Sequence, residues 1–399
     1  MTEISDVVFA AFVGGSSSGK STIADITKKA IEEFAVSNDE ENLVTIVSSD
    51  YFYRDIEAVK LIQPGVFKTE NIKEDIKNVN WDDPNLIDYD ALIYTLSELK
   101  KGNSVELPGY DKKTGRLLFD EKDKVTLDPA KIVLVEGFLL EALKKATGKF
   151  KKEGNDIPVH FNYAENIRTE GNRFFANYNI KHGIFNEKRK KHERLFGNEK
   201  NTGIFNENLY FVHCDENEAL FRRLIRDHMV FRRDLDETIS HYPKIKNTYE
   251  TIIQPLSKNE KWKIIDNTVF NENTSNNVYN TVIKLMTDAK IDIQENYKTL
   301  EEGAKEIEDM SNDYLQNCIY TFIEEGGKVI DEETKELIRT DIPIGQKKLK
   351  EFYEGYQDFK NNFLDNPIPN KFGKPINIYS ILPDKIPLWV ESRKYFFIK

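Results

Sequence analysis

A short loop near the amino terminus is the part of this sequence best equipped for chemistry. It matches the pattern G-x-x-x-x-G-K-[ST] and lies between an apolar run, Val7–Val13, and a stretch with helical apolar spacing, Thr22–Phe34. In that setting the backbone N–H groups of a glycine-rich loop face a polyphosphate, and the following helix adds the positive end of its dipole. The pattern therefore predicts a site for the phosphates of ATP, formed by Gly14, Gly15, Ser16, Ser17, Ser18, Gly19, Lys20, Ser21 and Thr22.

Two side chains of this loop have distinct expected roles. The Lys20 ammonium would reach the β- and γ-phosphates, and the Ser21 hydroxyl would bind Mg²⁺. The alternative is a plain glycine turn followed by an exposed lysine. A strand before the loop and a helix after it argue against that alternative, because the phosphate site requires both.

Two carboxylates follow other predicted strands. Asp50 comes after Leu43–Ser48, and Glu136 comes after Ile132–Val135. The carboxyl ends of parallel strands meet at one edge of a sheet, where ligands bind. There Asp50 could accept a proton from a substrate hydroxyl and help to hold magnesium, and Glu136 could support the metal directly or through water. Taken alone, Asp50 could equally be an ordinary loop carboxylate.

The elements that must position these groups alternate between strand and helix over the first 140 residues and again after residue 206. Continuous apolar runs of this length suit strands buried on both faces of a parallel sheet. We predict an α/β fold, a P-loop NTPase-type parallel sheet of about five strands with flanking helices. The remaining predicted elements are a helix at Ile87–Leu99, a hairpin or loop at Val105–Leu118, strands at Leu209–His213 and Lys263–Ile265, and a helix near Asn277–Thr287.

Changes in composition suggest how the chain is divided. Residues 1–290 are predicted to form the P-loop domain, with an insertion at about 145–206 and an arginine-rich helix at about 216–236. Residues 291–399 are predicted to form a mainly helical carboxy-terminal extension of unknown role. Apolar side chains recur there at steps of three and four between Leu300 and Phe322, which is typical of an amphipathic helix.

Bulk properties exclude several classes of partner. The net charge of −11 disfavours nonspecific binding to nucleic acid. No run of 18 apolar residues predicts a membrane span, and the start of the chain lacks the basic and apolar regions of a secretory signal. The two cysteines have no metal-site spacing. We therefore expect a cytoplasmic protein that acts on a small molecule, without nucleic-acid or membrane partners.

Four segments together resemble the uridine kinase and phosphoribulokinase-like family of P-loop kinases. They are SDYFYR at 49–54, NWDDPNLID at 80–88, the stretch 99–111 with Arg116 following, and VEG at 135–137. Their order and approximate spacing also resemble those of a uridine-cytidine kinase. The likeness is close over residues 7–145 and looser over 207–270. It is absent from the insertion and from the carboxy-terminal extension.

The resemblance implies an ATP- and Mg²⁺-dependent nucleoside kinase of pyrimidine salvage, with the 5′-hydroxyl of uridine or cytidine as the acceptor. It makes Asp50 the general base on that hydroxyl and places Asp82 on the ribose hydroxyls. Tyr53 and Tyr110 would line the base pocket, with Arg116 near the hairpin. The resemblance also makes the arginine-rich helix at about 216–236 a lid that would fold over the phosphates. In it Arg226 and Arg233 would assist catalysis, and Arg222 and Arg223 would bind the nucleotide.

Two departures from the family pattern concern base specificity. Lys112 to Gly115 occupy the hairpin position where the family usually carries a histidine, and Phe231-Arg232-Arg233 replaces the usual end of the lid. A kinase of another alcohol, such as a sugar phosphate or a ribosyl or vitamin substrate, therefore stays open. A non-catalytic nucleotide-binding regulator is a further alternative, although a pure binder would need neither Asp50 nor Glu136. The lid arginines could instead form a solvated helix face, and a homo-oligomer is left open.

Overall fold

The structure is a computed structural model that describes most of the first 311 residues. The described ranges are 7–36, 42–69, 71–111, 114–138, 140, 149–152, 155–158, 195–196, 203–215, 219, 222–223, 245–268 and 270–311. Most of the predicted insertion and lid, and the chain beyond 311, lie outside the described residues.

A five-stranded parallel sheet forms the centre of the fold. Its strands are β1 (Val8–Gly14), β2 (Val44–Ser48), β7 (Ile132–Glu136), β10 (Leu209–His213) and β11 (Lys263–Asp266), in the spatial order β11-β10-β1-β7-β2. Every neighbouring pair is parallel, so all five carboxyl ends lie at one edge. The predicted α/β class and the number of strands are confirmed.

Helices cover both faces of this sheet because its strands are apolar on both sides. On one face α1 (Lys20–Phe34) and α5 (Glu272–Asp288) pack with Phe12 and Leu134 in a buried cluster. On the other face α4 (Tyr89–Lys100) packs with Val13 and Val135. Parallel strands that are buried on both faces consist of continuous apolar residues, and such apolar runs predicted these strands from the sequence.

Short elements on the α4 side build the region between β2 and β7. The α-helices there are α2 (Ile56–Ile62) and α3 (Ile72–Asp75). Two antiparallel pairs follow, β3 (Val105–Leu107) with β6 (Val125–Leu127) and β4 (Gly109–Asp111) with β5 (Arg116–Leu118). The predicted excursion at 105–118 is therefore a set of short strands. A further antiparallel pair, β8 (Lys149–Lys152) with β9 (Asn155–Pro158), falls in the predicted insertion.

Shorter helical turns complete the described part of the chain. A 3₁₀ turn at Ser49–Phe52 directly follows β2. The others are 3₁₀ turns at Ile76–Asn78, Pro84–Leu86, Glu121–Asp123, Gln254–Lys258 and Glu295–Tyr297, and a π-helical turn at Tyr249–Ile253.

The chain after α5 packs back against the end of α1. Gln294 donates its backbone N–H to Phe34 O at 2.9 Å, and its amide donates to the carbonyls of Glu33 and Ala35 at 2.9 Å each. These bonds satisfy carbonyls that a helix end leaves without partners. Residues 300–311 are helical, and Ile307 of that helix joins the buried cluster of α1 and α5. The described part of the carboxy-terminal extension is thus α-helical over residues 300–311, after an irregular stretch with one 3₁₀ turn. The division of the chain at residue 290 stays a prediction.

Within the described ranges, no helix is long and apolar enough to cross a membrane.

Candidate active site

The phosphate-binding loop joins β1 to α1 at the carboxyl edge of the sheet. Gly14 ends β1, where an added Cβ would lie 2.3 Å from the carbonyl oxygen of Val212 on the neighbouring strand. Ser17 and Gly19 have φ angles of 63° and 88°, so the backbone turns back on itself twice before the helix begins at Lys20. Alternation of this kind brings successive N–H groups into one concave surface.

The polar groups inside this loop fit a polyphosphate. Ser17 Oγ and Ser18 Oγ are buried and have no hydrogen-bond partner among the described residues. The Lys20 ammonium is also buried and donates to Gly15 O at 2.9 Å. Buried hydroxyls normally have partners, and here the chemistry of the donor set matches phosphate oxygens. The loop therefore suits the phosphates of ATP by its shape and by its donors.

Glu136, the last residue of β7, lies beside the start of α1. Ser48 Oγ donates to Glu136 Oε1 at 2.5 Å, and the Ser21 hydroxyl also hydrogen-bonds this carboxylate. Burial raises the pKa of Glu136, and nearby Asp50 adds to the rise. The Lys20 ammonium and the two hydroxyls oppose it. A buried carboxylate next to a hydroxyl is a suitable oxygen pair for Mg²⁺, because a cation there would offset the cost of burying the charge.

Asp50 reaches the same edge from the neighbouring strand. β2 and β7 pair in register, with Ser48 opposite Glu136, and the 3₁₀ turn then carries Asp50 beyond the end of the sheet. Asp50 is half-buried, and its backbone N–H donates to Ser48 Oγ at 3.3 Å. Its charge acts on Glu136 and on Tyr53. The structure therefore brings Lys20, Ser21, Asp50 and Glu136 together, as expected of residues at the ends of adjacent parallel strands.

An aromatic group stands beside Asp50. The rings of Tyr53 and Tyr110 stack with centroids 5.7 Å apart, and Trp81 meets Tyr53 edge-on at 6.0 Å. Tyr53 donates its hydroxyl to Trp81 O at 3.1 Å. The Tyr110 hydroxyl is buried and has no hydrogen-bond partner within the described ranges. Burial raises the pKa of both tyrosines, with the charge of Asp50 contributing to each. Both phenols therefore stay protonated and can act as donors.

The other predicted substrate residues lie around this group. Asp82 is half-buried in the turn after Trp81, and its charge contributes to the raised pKa of Tyr53. Arg116 is exposed at the start of β5, opposite Asp111 of β4. The hairpin lysines at 112 and 113, which replace the expected histidine, lie outside the described residues.

Two of the four predicted lid arginines are described, and both contact the phosphate-binding region. Arg223 donates to Ser16 Oγ at 2.6 Å, and Arg222 donates to Thr268 O at 3.1 Å. Arg226 and Arg233 lie outside the described residues, so their assigned roles stay predictions.

The sequence interpretation missed three residues that shape this site. Ser48 bonds Glu136, Trp81 orients Tyr53, and Asn267 donates its side-chain amide to Ser18 O at 2.8 Å. Asn267 directly follows the last strand of the sheet, a position where the strand-end rule already pointed to polar side chains. Ser48 ends β2, so the same rule pointed to it, whereas Trp81 gave no signal beyond its place in the segment 80–88.

Comparison with known proteins agrees with this geometry. Residues 9–145 match the model of the phosphoribulokinase / uridine kinase family. A probable uridine-cytidine kinase of Caenorhabditis elegans is 32 % identical over 129 residues, which are 32 % of this chain and 46 % of that protein. A uridine kinase of Shewanella pealeana is 33 % identical over 135 residues, which are 34 % of this chain and 55 % of that protein. A solved D-glycerate 3-kinase of Cryptococcus neoformans has a TM-score of 0.38 and 17 % identity, covering 65 % of this chain and 86 % of its own.

These matches confirm the predicted resemblance to a uridine kinase-like family over the segment that contains the phosphate-binding loop, Asp50, Asp82 and Glu136. The chain spans about half the length of the curated relatives it matches. The reaction and the acceptor are therefore matters for proposal.

Proposed function

We propose that this protein is an ATP-dependent, Mg²⁺-requiring phosphotransferase, with the 5′-hydroxyl of uridine or cytidine as the acceptor. The observation that carries the proposal is the meeting of two carboxylates, Asp50 and Glu136, with Lys20 and Ser21 at one edge of the sheet. A protein that only bound a nucleotide would need the loop and its lysine. A carboxylate placed to take a proton is a requirement of group transfer to a hydroxyl.

Phosphoryl transfer needs positioning and charge neutralisation more than covalent chemistry. Bound Mg²⁺ supplies much of the positive charge at the β- and γ-phosphates. Ser21 and Glu136 would hold that ion, and the Lys20 ammonium would leave Gly15 O for the phosphate oxygens. The concave loop would hold the phosphate chain through its N–H groups and the two serine hydroxyls. Asp50 would accept the proton of the acceptor hydroxyl as the new bond to phosphorus forms.

The acceptor would lie between Asp50 and the aromatic group. Asp82 has two carboxylate oxygens, which can accept hydrogen bonds from two neighbouring ribose hydroxyls. Tyr53, Tyr110 and Trp81 offer an aromatic wall for a planar base. The Tyr110 hydroxyl, which is buried and has no partner in the part of the chain that the structure describes, would donate a hydrogen bond to the acceptor.

A kinase of another alcohol is the second candidate, and one observation favours it. Tyr53 and Tyr110 stack on each other, and Tyr53 is held by Trp81 O, so part of the aromatic surface is already covered within the protein. A smaller acceptor, such as a sugar phosphate, would need less of that surface. Such an acceptor could still place its hydroxyl on Asp50.

The experiment is an assay of the purified full chain with ATP and Mg²⁺ against a panel of nucleosides and sugar phosphates. Under the proposal, uridine or cytidine is phosphorylated and Lys20→Ala abolishes turnover. Asp50→Asn lowers kcat by about 10²–10⁴-fold, the usual contribution of a general base, while ATP binding is retained. Asp128→Asn is the matched control, since this exposed carboxylate follows β6 near the opposite edge of the sheet.

Three results would revise the proposal. Turnover of a sugar phosphate with none of any nucleoside would move the protein to the second candidate. Nucleotide binding without turnover of any acceptor would indicate a regulator. Near wild-type kcat in Asp50→Asn on the true substrate would remove Asp50 from the base role.

A further inference from the structure

Asn267 connects the last two strands of the sheet to the phosphate-binding loop. Its side chain is 5 % exposed and its amide Nδ2 donates to Ser18 O at 2.8 Å. Its backbone N–H donates to His213 O, at the end of β10, at 2.8 Å. The backbone of Asn267 is thus hydrogen-bonded to the sheet, and its side chain is hydrogen-bonded to one carbonyl of the loop.

The carbonyl that accepts this hydrogen bond belongs to the peptide that joins Ser18 to Gly19. Described peptide bonds are all trans, and in a planar trans peptide the C=O and the following N–H point in opposite directions. Because Ser18 O is directed at Asn267, the Gly19 N–H is directed away from Asn267. The backbone bond to His213 O holds Asn267 in place, and its side-chain bond to Ser18 O in turn sets the orientation of the Gly19 N–H group.

Gly19 is shaped for this contact. Its φ of 88° lies in the region that favours glycine, and an added Cβ would stand 2.2 Å from Asn267 Nδ2. A side chain at position 19 would therefore displace the amide even if the backbone could tolerate it. The Asn267 amide can approach the loop this closely because Gly19 has no Cβ.

We propose that Asn267 is a positioning residue for nucleotide binding, which acts by holding the Ser18–Gly19 peptide so that the Gly19 N–H faces the phosphates. This inference rests on the proposed function, since it assumes that the loop binds a nucleotide. Asn267 itself does not touch the phosphates. If the N–H already points toward the phosphate site, the loop does not have to reorient when the nucleotide binds. Avoiding that free-energy cost is the usual advantage of a preorganised donor.

The next residue extends the same connection to the lid. Thr268 O accepts from Arg222, Thr268 Oγ1 accepts from the backbone N–H of Asp215, and the Thr268 N–H is held by Asp266 Oδ1 at 3.0 Å. Three hydrogen bonds thus hold Thr268, the residue directly after Asn267. A rigid support of this kind is what a positioning role requires.

The test measures nucleotide affinity in the full chain by calorimetry, for Asn267→Leu and Asn267→Ala. Loss of one well-placed donor should weaken ADP and a non-hydrolysable ATP analogue about tenfold. AMP, which lacks the β-phosphate, should be affected much less, and the KM of the acceptor should not change. Asn208→Leu is the matched control: this buried amide at the start of β10 donates to Asp288 Oδ2 at 3.2 Å, far from the loop. It should alter stability and leave ADP affinity unchanged.

A measurement on the unaltered protein covers the case in which both Asn267 variants fail to fold. Ser18–Gly19 is the only Ser-Gly pair in the sequence, so carbonyl-¹³C serine with ¹⁵N glycine labels one amide for NMR. The proposal expects this single resonance to move downfield when ADP is added, as an N–H does on bonding a phosphate.

The outcomes separate this proposal from the proposed function. Wild-type protein that binds ADP without a shift of the Gly19 resonance would overturn the role of Asn267 and leave the kinase assignment intact. Equal ADP affinity in folded Asn267→Leu and wild type would do the same, as would an equal loss for AMP and ADP. Wild-type protein that binds no nucleotide at all would remove both.

Discussion

Arg54 and Asp88 form a buried ion pair that joins the two segments carrying the proposed acceptor-binding residues Asp50 and Asp82. The Arg54 guanidinium donates to Asp88 Oδ2 at 2.9 Å, with the two side chains 5 % and 4 % exposed. Arg54 Nε also donates to Asn85 O, and Asp88 Oδ1 caps α4 by accepting from Ala91 N. The segment with Asp50 is therefore fastened to the segment with Asp82.

Removing one member of this pair should cost much of the stability of the protein. Asp88→Ala removes the Asp88 carboxylate from beside a buried guanidinium and also removes the cap of α4. We expect unfolding free energy to fall by about 3–5 kcal/mol in urea denaturation. Glu57→Ala is the control, because it breaks the more exposed Lys60–Glu57 pair and should cost at most about 1 kcal/mol. Similar losses of unfolding free energy in the two variants would show that the buried pair stabilises the protein no more than the exposed pair does.

The buried carboxylate of Glu136 should give the metal-free protein a specific pH dependence. Burial raises its folded-state pKa above the ordinary 4.5, so between 4.5 and the raised value the folded state binds more protons than the unfolded state. Stability then falls as pH rises through that window, by up to about 1.4 kcal/mol per pH unit for one proton.

Glu136→Gln should remove this slope and make the protein more stable than wild type above the window. Urea denaturation in EDTA between pH 4.5 and 8 measures the effect. Glu106→Gln, on an exposed carboxylate of β3, is the control and should follow the wild-type curve. A wild-type slope that persists in Glu136→Gln would assign it to another group.

Asp82 should distinguish ribonucleosides from deoxyribonucleosides. A 2′-deoxyribose offers Asp82 one hydroxyl fewer, and losing one hydrogen bond to a charged group costs about 1.5–3 kcal/mol, or roughly ten- to a hundredfold in kcat/KM. Uridine and cytidine should differ little, because the hairpin carries lysines where the family has its histidine. Steady-state kinetics on uridine, cytidine and their 2′-deoxy forms tests both statements. Equal rates on ribo and deoxy substrates would exclude the assigned role of Asp82.

The helix at 300–311 offers a direct comparison of one buried and one exposed apolar side chain. Ile307 is 0 % exposed in the cluster with α1 and α5, whereas Leu300 is 46 % exposed. Ile307→Ala should lower the unfolding free energy by about 2–5 kcal/mol, and Leu300→Ala by about 0.5 kcal/mol or less. Should Ile307→Ala leave the unfolding of the whole protein unchanged, the helix would be a separate unit, as expected from the sequence alone.

The sheet was predictable because its strands are apolar on both faces. Leu209–His213 has the predicted bounds. β1 is shifted by one residue at both ends, and the other three strands differ from prediction by one residue at one end. Helix starts were less well predicted. α5 begins at Glu272, five residues before the predicted Asn277, because its first turn is polar and is fixed by the Asn271 cap, which accepts from Thr274 N. Apolar periodicity carries no signal in such a turn.

Contacts between residues that are far apart along the chain could not be predicted from the sequence. Asn267 meets Ser18 across 249 positions, and that meeting depends on the register of β11 against β10 and on the path of the loop. Tyr53 and Trp81 could each be placed in a motif, but their mutual orientation follows from the packing of β4 and the 3₁₀ turns. Motifs indicated which residues gather at the edge of the sheet, and only the fold shows which of them hold the others in place.

The order of the strands has a consequence for how the protein is made. β1 lies at the centre of the sheet, between β7 and β10, yet 72 residues separate the end of β7 at Glu136 from the start of β10 at Leu209. A ribosome adding about 5–20 residues per second needs roughly 4 to 14 seconds for that stretch. Until β10 emerges, the apolar strand VFAAFVG presents one unpaired edge, the kind of surface on which nascent chains aggregate. The same strand that positions the phosphate-binding loop in the finished protein is therefore the one most in need of protection during synthesis.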